Sequence, residues 1–147
     1  MNKDNIKKLI SYIIAESGDN PTRDGLKGTP ERVAQLYEEL LSGYGKDVNK
    51  TLENSLFKTT LDDMIVVKNI EFYSICEHDL TPFFGMVNLG YIPNGNIIGL
   101  SKIPKIVEIF SKRLQVQENL TNQISSALDS IISPHGLGVV VEARHTC

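Results

Sequence analysis

The sequence predicts an α+β fold, an antiparallel sheet with two packed helices and a helical extension before it. Three observations carry this. Apolar residues recur at helical spacing near the N-terminus. From Met64 the chain turns to β-branched and aromatic runs. Helical periodicity then returns in two segments before a final apolar run at the C-terminus.

Taken in order, Ile6, Leu9, Ile10, Ile13 and Ile14 mark an amphipathic first helix, which Asn20-Pro21-Thr22-Arg23-Asp24-Gly25 breaks. Thr29 offers an N-cap, with Pro30 at the first helical position and Val33, Leu36, Tyr37, Leu40 and Leu41 as the apolar stripe. Gly43 is placed to end that helix, and Lys46 to Asn54 is expected to be a loop. Met64 to Cys76 and Pro82 to Ile92 are expected strands. Pro93-Asn94-Gly95-Asn96 is a tight-turn signal leading into Ile97 to Leu100. Ser101 is positioned to cap a helix carrying Ile103, Ile106, Val107 and Phe110, and a second helix spans about Val116 to Ile132. Val139 to Ala143 forms the last strand, so three strands leave an open edge that invites a partner.

At 147 residues the chain suits a single domain over 1–147, with 1–45 as the helical part and 60–147 as the sheet-and-helix core. A net charge of −3 argues against a general nucleic-acid binder, which would carry a basic face. The sequence has no apolar run of membrane-spanning length and no signal-peptide pattern, so a cytoplasmic protein with no membrane partner is expected.

Both cysteines and two of the three histidines lie in two tripeptides, Cys76-Glu77-His78 and His145-Thr146-Cys147. Thiolate and imidazole are ligands Zn²⁺ prefers, and a two-residue step keeps side chains on one strand face. With Asp79 there are five donors for four positions, a surplus expected of a catalytic centre that keeps one site for water. Ser101, Lys102 and Lys105 combine a helix start, a hydroxyl and two cations, which suits phosphate. In Gln115-Val116-Gln117-Glu118, a carboxylate is available for the N1–H and amino group of guanine. His135 sits in the turn Ser133 to Gly136 and belongs to none of these groups.

Together these residues resemble the type I GTP cyclohydrolases. Asn20 to Leu26 with Thr29 to Ala34 looks like that family's N-terminal signature. Ser74 to Phe83, Gly99 to Lys105, Arg113 to Thr121 and Gly138 to Cys147 match its motifs in order. The resemblance implies the tunnelling fold, in which strands of neighbouring subunits complete a barrel, usually in a decamer with sites at subunit interfaces. It implies Zn²⁺ as cofactor, held by Cys76, Cys147 and the residue at position 79. His78 and His145 would transfer protons, Glu118 helped by Gln117 would hold guanine, and Ser101, Lys102 and Lys105 would face the triphosphate. The implied reaction hydrolyses GTP at C8 to formate and 7,8-dihydroneopterin triphosphate, the first step of pterin and tetrahydrofolate biosynthesis.

The chain departs from that pattern at three points. The family has two consecutive histidines, the second a zinc ligand, where this chain has His78-Asp79. Asp79 can bind through oxygen, or His78 can take the ligand place at the expense of acid–base work. Lys105 stands where arginine is usual, keeping charge but losing the bidentate fork. The family continues past the position of Cys147 with a strand, a further phosphate-binding arginine and a terminal helix, which are expected to be absent here. The alternative expectation is an impaired or truncated member that serves as a zinc- and guanine-nucleotide-binding subunit.

Overall fold

The computed structural model describes residues 1–52 and 54–147 and divides into two compact units, Met1–Leu41 and Ser42–Cys147. In the first unit α1 (Lys3–Glu16) packs against α2 (Thr29–Leu40). Ile14 and Ala34 are its buried residues, and Lys3–Glu38 and Lys7–Glu31 ion pairs link the helices. Asn20 Oδ1 accepts from both Thr22 N and Thr22 Oγ1, which closes the turn between them. Thr29 is not the N-cap. Gly28 holds that place, and the Thr29 hydroxyl instead accepts from Arg32 Nη2 at 2.8 Å.

The second unit begins with a 3₁₀ turn, Ser42–Gly45, so the preceding helix ends before Gly43. A Cβ on Gly43 would collide with the Ile109 carbonyl, so close approach is the reason for glycine there. The predicted loop from Lys46 contains a short α3 (Val48–Thr51) capped by Asp47, and Glu53 of that stretch lies outside the described residues. Then follow β1 (Leu56–Lys58), β2 (Ile65–Cys76), β3 (Pro82–Ile92), β4 (Asn96–Ile98), α4 (Lys102–Ser111), β5 (Leu114–Gln115), α5 (Gln117–Ile132) and β6 (Gly136–His145). The α+β class and the long elements are as expected. β4 follows its turn but pairs with β1 in a separate two-stranded sheet, because β6 already occupies the free side of β3. The main sheet has order β5-β2-β3-β6, four strands rather than three, the fourth being the two-residue β5. Ser101 precedes α4 but makes no side-chain cap hydrogen bond.

One face of the sheet carries both helices. α4 lies on β2 and α5 on β6, with Ile103, Ile106 and Val107 from one and Leu120, Ile124, Leu128 and Ile132 from the other fully buried. Each such side chain stabilises by about 1.5–3 kcal/mol. The i, i+4 spacing in α5 is the stripe that periodicity predicts.

The register of β2 changes halfway. Val67 pairs with Leu89 and Ile70 with Val87, so Lys68 and Asn69 together oppose Asn88 alone. Asn69 takes φ +60°, and its N–H donates to Asn88 Oδ1 at 2.9 Å. The extra residue reverses the alternation. Ile65 and Val67 pack toward the core before it, and Ile70, Phe72, Ser74 and Cys76 are buried after it. In an unbulged ladder Cys76 would point the other way.

Left-handed backbone costs an ordinary L-residue roughly 1–2 kcal/mol, least for asparagine and nothing for glycine. We therefore expect Asn69→Val to be less stable than Asn69→Gly by about 1–2 kcal/mol. Urea unfolding midpoints of the two variants check this, and equal midpoints would refute it.

Candidate active site

The end of β2 and the start of β3 form a tight hairpin. Cys76 N donates to the Thr81 carbonyl at 2.8 Å and Leu80 N to the Cys76 carbonyl at 2.9 Å. Leu80 takes φ +61°, an unusual conformation for leucine and of the kind that persists where surroundings enforce it. Asp79, at the tip, accepts on Oδ1 from Thr81 N at 3.1 Å and from Thr81 Oγ1 at 2.7 Å. The Thr81 hydroxyl bond first, then its backbone bond, hold the Asp79 carboxyl below its ordinary range.

β5 brings a second segment to the same place. Leu114 and Gln115 pair in parallel with Ile75 and Cys76, and Glu77 N donates to the Gln115 carbonyl at 3.0 Å. The Gln115 side chain is buried and donates from Nε2 to the Phe110 carbonyl and Gln123 Oε1, both at 2.8 Å. Tyr44 Oη accepts from Leu114 N at 3.1 Å, and the Arg113 guanidinium lies 5.0 Å from the Phe110 ring centroid. Two residues after Gln115, α5 starts with Gln117 and Glu118, delivered beside the β2 end.

β6 supplies the third segment. Phe83 and His145 are register partners, and their rings stack with centroids 4.9 Å apart and planes 3° from parallel. Gln117 Nε2 donates to the Val141 carbonyl, and Gln117 Oε1 lies 2.9 Å from His145 Nε2. Thr146 Oγ1 donates to the Pro82 carbonyl at 2.7 Å, which leads the chain back over the hairpin to Cys147.

Three segments thus converge on one cavity of about 640 Å³, lined by Cys76, Glu77, His78, Val116, Gln117, Glu118, His145 and Cys147. Ligand atoms of Cys76, Asp79 and Cys147 lie within 4.8 Å of one another. Partial desolvation, then the Cys76 sulfur and the negative charges of Cys76 and Asp79, push the Cys147 thiol above its ordinary value. A cation relieves that opposition, so two soft sulfurs and one oxygen at this spacing fit a borderline metal such as Zn²⁺.

Not every expected residue is here. Ser101, Lys102 and Lys105 are absent from this cavity's lining. They occupy the N-terminal half of α4, about 9–15 Å along the helix from the end that meets β5. Lys102 Nζ donates to the Thr51 carbonyl at 3.0 Å, while Lys105 is exposed. His135 N bonds the Ile92 carbonyl, outside the cavity. Thr81 and Phe83 lie in a motif stretch but carry no expected role, and Gln115 is expected only as the start of its motif. Asp79-Leu80-Thr81 carries the aspartate-turn signal that would have flagged Thr81, whereas Phe83 needs the strand register.

Because Thr81 Oγ1 orients the Asp79 carboxylate, Thr81→Val should lower Zn²⁺ affinity about 10–100-fold, as loss of an outer partner does, with Thr81→Ser near the parent. Asp79→His should raise affinity by replacing a third anion with imidazole. Competition against a chromogenic chelator measures both, and no change in either variant would remove Asp79 from the ligand set.

A model of the GTP cyclohydrolase I family matches residues 6–147. The GTP cyclohydrolase 1 of Campylobacter concisus (strain 13826) is 48% identical over 145 residues, covering 99% of this chain and 74% of that protein. That of Leptospira biflexa serovar Patoc is 46% identical over 142 residues, 97% of this chain and 78% of the relative. Among solved structures, the apo form of the archaeosine synthase QueF-Like aligns with TM-score 0.53 at 20% identity, covering 56% of this chain and 82% of that one, a likeness of fold alone. With a family match over nearly the whole chain and relatives near half identical, this chain belongs to the GTP cyclohydrolase I family.

Proposed function

We propose that the chain is a zinc-dependent GTP cyclohydrolase I acting in the cytoplasm as a homo-oligomer at the start of pterin synthesis. The observation that carries the reading is a cavity that Cys76 and Cys147 line with two histidines and the Glu118 carboxylate, the ligand atoms of Asp79 lying within 4.8 Å of those of both cysteines.

Guanine presents N1–H and its amino group on the six-membered ring, and N7 and C8 on the five-membered ring. Glu118, in the first turn of α5, accepts from the first edge. His78 and His145 then serve the other, giving a proton at N7 and taking one from the water that adds at C8. Ring opening and release of C8 as formate follow, and reclosure with ribose carbons yields the pterin. Zn²⁺ held by Cys76, Asp79 and Cys147 would supply the Lewis acidity that makes water nucleophilic near neutral pH. Two thiolates and a carboxylate over-neutralise a divalent ion, so turnover should be slower than with imidazole at position 79.

The absence of Ser101, Lys102 and Lys105 from this cavity's lining supports a site shared between chains, with triphosphate contacts coming from a neighbour. No helix among the described residues is long and apolar enough to cross a membrane, and no charge pattern calls for nucleic acid. Asp79 specifically favours a second reading, a subunit that keeps zinc and guanine-nucleotide binding but has lost turnover.

Incubation with GTP and Zn²⁺, read for formate and for fluorescent oxidised neopterin, should give both products. GTP binding with neither product would shift the reading to the non-catalytic subunit. Glu118→Ala should abolish guanine selectivity, raising KM for GTP by about 100-fold, the scale of losing a charge-assisted hydrogen bond of 1.5–3 kcal/mol. An unchanged KM would take Glu118 out of the substrate site.

A further inference from the structure

Gln117 has both ends of its side-chain amide engaged. Its Nε2 donates to the Val141 carbonyl at 2.9 Å, which settles which end is nitrogen, because a carbonyl only accepts. Oε1 is therefore the atom that faces His145 Nε2, 2.9 Å away. An amide oxygen has no proton to offer, so a neutral His145 must carry its proton on Nε2. Nδ1 is left with its lone pair, 3.9 Å from Cys147 Sγ. The ring plane is held by the Phe83 stack, 3° from parallel. A half-turn about Cβ–Cγ, which the stack would permit, puts Cε1 against Oε1 and forfeits the bond. Thr146, bonded to the Pro82 carbonyl, pins the backbone beside the ring.

The geometry points to Gln117 as a positioning residue: oriented by the Val141 carbonyl, its amide fixes the ring and tautomer of His145, with Nδ1 presented as the acceptor on the Cys147 side. Gln117 then acts on substrate through His145, in place of or before any contact of its own with guanine. The kinetic part of this inference rests on the proposed cyclohydrolase activity; the tautomer does not. A wrong tautomer would misdirect the proton in every step His145 serves, while leaving substrate binding untouched.

Magic-angle-spinning NMR on the full chain labelled with ¹⁵N-histidine tests this without a size limit. There are three histidine rings to distinguish, and His145→Gln identifies the relevant pair of signals by their loss. At a pH where that spectrum is of a neutral imidazole, the proton should reside on Nε2. Gln117→Met keeps the shape but removes the amide, and the Nδ1–H form should then grow in. With GTP the same variant should lose kcat by about 10–100-fold with KM little changed. A wild-type proton on Nδ1, or a tautomer indifferent to Gln117→Met, would overturn the inference, and the first of these needs no variant to fold. A raised KM at constant kcat would also overturn it, returning Gln117 to guanine binding. Absence of turnover in the wild type refutes the cyclohydrolase reading alone, since the tautomer is read independently of it.

Discussion

Everything at the site depends on the parity of β2. A strand has two faces, and one residue more or less exchanges them. The bulge at Lys68 and Asn69 lets Ile65 and Val67 reach the core at one end while Phe72, Ser74 and Cys76 reach it at the other. Its two holding elements are modest: an asparagine able to adopt φ +60°, and the Asn88 amide oxygen that accepts the freed N–H. Without that extra residue the core could satisfy one half of β2 only. Either Ile65 and Val67 or the Cys76 half would face away from the helices.

The second constraint is the two-residue strand β5. So short a strand contributes little hydrogen bonding by itself, yet it carries the α4–α5 connection to the end of β2. Its position is enforced from several directions: the buried Gln115 amide, the Tyr44 hydroxyl on Leu114 N, and Arg113 over Phe110. A buried amide that loses such partners costs about 1–3 kcal/mol, so the arrangement resists slipping. Gly85 makes the complementary closure on the other side, because a Cβ there would collide with the Glu142 carbonyl and lie 2.9 Å from Ala143 Cα. β6 is thereby drawn close enough for His145 to stack on Phe83.

The electrostatics follow from this convergence. Cys76, Asp79 and Cys147 gather two thiols and a carboxylate at the hairpin, with the α5 N-terminus as the nearby positive end of a helix dipole. The lysines that suit a triphosphate stand on the N-terminal half of α4. Under the proposed function one chain would separate the metal-and-base half of the chemistry from the phosphate half, and β6 stands at the edge of the sheet, where a further strand could pair.

Local pattern along the chain specifies the elements and the donor types. Helical and two-residue periodicities are local properties, so β3 was legible to the residue, and α4 and α5 to within one or two. Cys76, His78, His145 and Cys147 were legible as candidates because the chain has only two cysteines and three histidines, and Asp79 because it adjoins them. What they touch is set by long-range packing. The bulge, the pairing of β4 with β1, and the β5 contact turn on competition between distant backbones for the same hydrogen bonds, which no local pattern records. The same holds for Gln117: the family resemblance implied help in holding guanine, while the register of β6 placed Val141 and His145 at the two ends of its amide.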